Sequence, residues 1–212
     1  MQQKASHRSN RERTEATRAA LLAAARKLFT EKSYAETATP EIVAAAGLTR
    51  GALYHHFSDK QALFRAVVEQ EAASVAEEIE RATPASLSAR DALIKGGEAF
   101  LAAMAVPGRT RLLLLDGPAV LGRAAMDAID AEHGARTLRV GLAIAMREEA
   151  VKKLPLDALT ALLSAAFDRA ALAIEAGAAP QDYAATLTAI IEGLCLDAPR
   201  APCVQSDSQR KL

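Results

Sequence analysis

Apolar residues recur along this chain at spacings of one, three and four, the repeat of a helix face. Ala20, Leu21, Ala24, Ala25, Leu28 and Phe29 fall on one side, while Arg18, Arg26 and Lys27 point elsewhere. The pattern predicts a first helix from Thr14 to near Lys32. Residues 1–13 are polar and basic, and are expected to form a flexible arm. Thr39-Pro40-Glu41 then has the form of a helix start: a hydroxyl cap, a proline in the first turn and an acid at the positive dipole end. Gly47 stands where a C-terminal cap belongs, so this helix is short. Thr49 caps a second short helix, expected to run to about Phe57. Ser58-Asp59-Lys60-Gln61 reads as a capping box opening a fourth helix of about 22 residues.

Beyond Ala82 the breaks are set by proline and glycine. Ala82–Ser88 reads as a turn, followed by a helix from Leu87 or Ala89 to Ala105 and a break at Val106-Pro107-Gly108-Arg109. Thr110–Leu115 is apolar and helical, and Asp116-Gly117-Pro118 kinks or ends it. Further helices are expected over Arg123–His133 and Ala135–Val151, then from Pro155 to Ala176 with Gly177 as cap, and from Pro180 to Leu196. The polar tail 197–212 is expected to be disordered. Ala and Leu fill most apolar positions, aromatics are 4% and Trp is absent, so the class is all-α.

Two short helices joined by a three-residue turn containing glycine have the form of a helix-turn-helix. The second presents Thr49, Arg50 and Gly51 at its start. The free N–H groups there favour a phosphate, and Gly51 lets a backbone or base come close. The formal net charge is zero, but residues 1–65 carry 11 Lys and Arg against 6 Asp and Glu, and residues 66–212 carry 15 against 20. The basic front is the half expected to meet a polyanion.

The run RAALLAAARKLFTEKSYAETATPEIVAAAGLTRGALYHHFSDKQALFRAVV resembles the N-terminal domain of the tetracycline-repressor (TetR) family of bacterial transcription regulators. The most specific part is AAGLTRGALYHHFSDKQALF. Three positions depart from the usual pattern: Ser33, Val43 and Ala52. Ala52 removes a hydroxyl common at that place, so operator preference cannot be copied from a relative. The resemblance implies a three-helix DNA-binding domain over 14–65. A fourth helix joins it to a helical effector-binding and dimerisation domain over 66–196. The helix from Thr49 to Phe57 would enter the major groove. Thr39, Thr49, Arg50, Gly51, Ala52, Tyr54 and His55 are the expected DNA-side residues, with Lys60 as a phosphate contact; Arg11 and Arg13 can reach an adjacent groove. Leu53 and Phe57 would face the core.

The C-terminal half is expected to bind a small effector of unknown identity and to pair two chains through the helices at about 156–176 and 181–196, which are rich in apolar and small residues. Phe100, Met104, Leu112, Asp116, Met126 and Phe167 break the Ala/Leu monotony and are the candidate pocket residues. With so few aromatics after residue 65, a small or aliphatic ligand fits better than a large aromatic one. The expected partners are a palindromic double-stranded DNA operator, the effector and a second copy of the chain.

No nucleophile-base pair, paired carboxylate, phosphate loop or metal cluster stands out, so no catalytic residue, metal or cofactor is assigned. Asp127 and Asp130 read as solvated surface charge, His133 as a helix-end residue and Cys195 as inert packing. His55 and His56, as neighbours on a helix, diverge and do not share a ligand face. No apolar run reaches the ~18 residues of a membrane span, and the N-terminus lacks the apolar core of a secretory signal; a cytoplasmic protein is expected. The alternatives are a helical adaptor or a regulator without small-molecule control.

Overall fold

The computed structural model describes residues 3–196. Ten α-helices follow one another: α1 Gln3–Lys32, α2 Thr39–Ala45, α3 Arg50–His56, α4 Lys60–Ala82, α5 Ala89–Met104, α6 Gly117–Leu121, α7 Arg123–Glu132, α8 Gly134–Arg147, α9 Leu156–Glu175 and α10 Pro180–Leu194. A π-helical segment, Arg111–Asp116, runs directly into α6. Among the described residues the only β pairing is an isolated bridge between Val151 and Cys195.

The first four helices enclose one core. Leu21, Ala25 and Phe29 of α1 meet Ile42 of α2, Leu53 of α3 and Leu63 and Phe64 of α4, all essentially without solvent exposure. Phe29, Tyr34 and Phe64 stack edgewise or tilted, with centroids 4.9–5.7 Å apart. A second core lies further down, where Leu93 of α5, Leu142 and Ala145 of α8, Leu163 and Phe167 of α9 and Leu187 and Ile191 of α10 converge.

Several boundaries differ from the sequence expectation. The expected arm is helical from Gln3, because nothing between Gln3 and Thr14 breaks a helix once the buried part has nucleated it. Arg11 pairs with Glu15 one turn on at 2.9 Å, and Thr14 bonds back to the Asn10 carbonyl. Thr39 is not the cap of α2: Ala38 occupies that place, and Glu41 reaches back to accept from its N–H at 3.0 Å. The cap of α4 is Asp59, which accepts from the Ala62 N–H at 2.7 Å. Ser58 donates to that carboxylate, and Gln61 bridges instead to the Val120 carbonyl at 2.7 Å. The helix expected to reach Val151 stops at Arg147, because Glu149 turns to a φ of 55°. The tail 197–212, with Cys203, lies outside the described residues.

The π-helical segment has a local cause. Gly117 donates to the Leu112 carbonyl five residues back, and Pro118 has no N–H to continue an α-helical ladder. A Cβ on Gly117 would sit 2.8 Å from the Leu112 oxygen and 2.9 Å from the Met126 sulfur. Only glycine fits this wide turn.

Candidate nucleic-acid interface and ligand cavity

The α2–α3 turn is built as its residues predict. Gly47, at φ 64°, closes α2 with its N–H on the Ala44 carbonyl, and the Leu48 N–H reaches the Val43 carbonyl at 3.0 Å. Thr49 accepts from the Ala52 N–H at 3.2 Å and opens α3. Leu53 and Phe57 are buried beneath α3. The opposite face carries Thr49, Arg50, Gly51, Tyr54 and His55, all exposed, with Ala52 half-buried between them. The Arg50 guanidinium lies 5.4 Å from the Tyr54 ring centroid, so the two side chains stack and point outward together. Under this face, Arg18 of α1 sits over the Phe57 ring.

Lys60 is placed differently from a free phosphate contact. Its ammonium donates to the carbonyls of Tyr34 and Thr37 at 2.9 and 3.1 Å and lies 4.1 Å from the Tyr34 ring centroid. Thr39 is half-buried, in the first turn of α2. His56, next to exposed His55, is held below the ordinary imidazole value by burial, with the charges of His55 and Arg18 adding to it.

The first core is fastened to the rest by a buried ion network absent from the sequence expectation. Glu71 of α4 accepts from Arg26 of α1 at 2.7 Å and from Arg109 at 3.0 Å. Arg109 also donates to Glu78 and to the Ala103 carbonyl. Burial pushes the Glu71 carboxyl up, but the hydrogen bonds and charges of the two guanidiniums outweigh it and hold it below the ordinary range. Beside this network Gly108 packs on α1, where an added Cβ would lie 2.0 Å from a Thr30 methyl.

Two cavities lie in the second half. The larger, about 470 Å³, opens between α4, α5, α8 and α9 and is lined by Ile79, Leu93, Gly96, Gly141, Ile144 and Phe167 among others. The smaller, about 370 Å³, lies between α4, α7, α9 and the π-helical segment, with Val75, Met104, Leu113, Met126, Ile129 and Leu172 in its wall. Phe100, Asp130 and Gly134 border both. Of the six residues singled out in the sequence, Phe100, Met104, Met126 and Phe167 reach a cavity. Leu112 does not: it is fully buried in the first core. Asp116 does not either; it sits 3.3 Å from Arg111.

Asp130 corrects another expectation. It is not solvated charge but points inward, accepting from the Ala135 N–H at 3.1 Å and the Ser164 hydroxyl at 3.3 Å. Burial raises its carboxyl above the ordinary range against these bonds. Asp168 of α9, in the wall of the smaller cavity, was not anticipated at all. Burial and then the Asp130 charge push it up to about 6. Its i, i+4 relation to Ser164 places it on the inner face of α9, a signal that was present in the sequence.

No described helix is long and apolar enough to cross a membrane. Comparison with known proteins places both halves. The family model for bacterial regulatory proteins of the tetR family matches residues 21–67. The model for the tetracyclin repressor-like C-terminal domain matches residues 90–196. A crystal structure of a TetR-family transcriptional regulator from Pectobacterium atrosepticum is 34% identical, with a TM-score of 0.71 over 88% of this chain and 97% of that one. The HTH-type transcriptional regulator AcrR of Shigella flexneri is 37% identical over 70 residues, 33% of each chain. The HTH-type transcriptional repressor AcnR of Corynebacterium efficiens is 38% identical over 63 residues, 30% of this chain and 34% of that one. The chain thus matches about a third of the length of these curated relatives, which are regulators and not enzymes. An all-helical body, a helix-turn-helix at its head and family matches to both halves lead to one conclusion: the chain belongs to the TetR family of bacterial helix-turn-helix transcription regulators.

Proposed function

We propose that this chain is a cytoplasmic transcriptional repressor that binds a palindromic operator as a homodimer and is released by a small effector. The observation that carries the DNA reading is α3 itself. Its apolar residues, Leu53 and the following Phe57, are sunk in the core, and the outer face offers Thr49, Arg50, Tyr54 and His55. Such a helix can enter a major groove, where Arg50 reads a guanine or holds a phosphate. Lys60, occupied by two carbonyls, serves to set the Tyr34–Thr37 turn against α4.

Pairing is supported by the outer faces of α9 and α10. Leu162 is 71% exposed and Ile190 44% exposed. Around them Ala158, Ala161 and Ala165, and Ala185, Ala189 and Gly193, are also exposed. Two such helices from each of two chains can form a four-helix bundle with close backbone approach. Two half-sites one turn apart would then be about 34–36 Å from centre to centre.

Effector control is supported by the two cavities, which disfavour a regulator without a ligand. Binding there and binding to DNA would weaken each other by the same factor.

Selection of bound sequences from random duplex DNA tests the DNA reading, and recovery of no inverted repeat would overturn it. An operator-driven reporter, challenged with a compound library, tests the effector reading. Compounds that release the parent should fail on Gly96→Leu, whose side chain fills part of the larger cavity. Release undiminished by that filling moves the site out of the larger cavity, and no release by any compound counts against effector control.

A further inference from the structure

The reading of the cavities as the effector site leaves the chemistry of the effector open, and the residues where the cavities meet narrow it. Asp130 already has a donor on each oxygen, the Ala135 N–H and the Ser164 hydroxyl. Asp168, in the same cavity, makes no hydrogen bond or ion pair among the described residues. Half-buried, this carboxylate is partly desolvated with no hydrogen-bond donor from the protein, a cost that a cation would offset. The surrounding charges do so only in part: the Arg123 charge favours the ionised carboxylate but is outweighed by burial and the Asp130 charge. Asp127 pairs at 3.4 Å with Arg123, and both sit at the rim, with side chains 65% and 88% exposed. Arg169 is exposed as well, and His133 caps the end of α7. The inward groups at this point are thus the two carboxylates, with the arginines at the exposed rim and Val75, Met104, Met126 and Leu172 forming an apolar wall.

We infer that the effector is an aliphatic amine, its protonated nitrogen held at Asp168 beside Asp130 and its hydrocarbon body lying along the Val75, Met104, Met126 and Leu172 wall. The inference rests on the effector reading above and adds the ligand's charge and body. An ammonium brings three donors and no acceptor, which suits an unpartnered carboxylate next to one that is half satisfied. An aliphatic body suits walls of methionine, leucine and valine. Phe100 is the one aromatic residue lining this cavity, and it packs edge-on against Phe167 with centroids 5.4 Å apart, so no cage surrounds a flat cation. A carboxylate ligand would meet two like charges. The displaced cost also has a direction: a cation favours the ionised form of Asp168, which burial alone disfavours.

The test uses three probes of equal length that differ only at the head: decylamine, decanol and decanoate. Each is titrated calorimetrically into the full-length protein and into Asp168→Asn, which keeps the shape and removes the charge. Decylamine should bind the parent about tenfold or more tighter than decanol, and the gap should collapse in the variant. Equal or tighter binding of decanol or decanoate overturns the amine assignment and leaves the cavity as an effector site. A gap that persists in Asp168→Asn overturns the role of Asp168. Binding by none of the three overturns the inference, and the reporter screen on the parent protein then decides separately whether effector control survives.

Discussion

Arg50 and Asp168 are the residues whose removal is most informative. Arg50→Ala should weaken operator binding by about 1–3 kcal/mol if the guanidinium reads a base, with preference relaxed at one operator position. Equal loss on all sequences, measured by gel shift on a panel of operators, would assign it to a phosphate. Asp168 has the opposite character: it costs stability. Its carboxyl is raised from an ordinary 3.8 to about 6, so the folded chain holds a proton that the unfolded chain has released. Through this group stability falls as pH rises from about 4 to about 6. Asp168→Asn should therefore gain about 1–3 kcal/mol at pH 7 and lose that part of the slope, as urea unfolding at pH 5 and pH 7.5 would show. A variant less stable than the parent at pH 7.5 would contradict the account. At this scale the sequence was legible where a residue's role is local. Thr49 and Gly47 announce themselves by type and spacing, whereas Asp168 owes its character to burial in the fold and to the charge of Asp130, 38 positions earlier.

Among the elements, α4 packs against α1 on one side and against α5, α6, α7 and α8 on the other. Its cap, Asp59, bonds one position later than the sequence suggests, because Ser58 and Asp59 both have capping side chains and only the carboxylate reaches Ala62. Gln61 is then free to reach α6 through Val120. Further along, Glu71 joins α1 to the loop after α5 by way of Arg26 and Arg109, the latter only 6% exposed. Glu71→Ala would leave Arg109 buried without its main partner and should cost about 3–5 kcal/mol. Because its carboxyl is held below the ordinary 4.5, this stabilisation is present above that value and is lost as pH falls through the lowered one. Thermal unfolding of parent and variant should converge under acid conditions and separate at neutral pH; the same gap throughout would exclude an ionic origin. The helices themselves were legible from period and breakers. The π-helical segment was seen only as a kink at Asp116-Gly117-Pro118, since nothing in RLLLLD distinguishes a wide turn from an ordinary one. Arg109 read simply as part of a break.

At the scale of the molecule, the basic front and acidic rear visible in the sequence correspond to a head that presents α3 and a body that holds the cavities. Leu162→Arg tests the pairing: it places a charge on the exposed face of α9 and should yield monomers by sedimentation while leaving the helical content unchanged. Retained dimers would move the interface elsewhere. What the sequence could not convey was how head and body are joined, because that junction is made by contacts between distant segments. Beside the apolar packing of Leu112 and Leu113 into the first core, it includes Gln61 on Val120, Arg26 and Arg109 on Glu71, and Gly108 seated against Thr30. The last of these reaches beyond this chain. A chimera that set this head on a relative's trunk would meet a side chain in that notch unless the donor also had glycine there, so operator specificity cannot be swapped between kin by cutting at the α3–α4 turn alone.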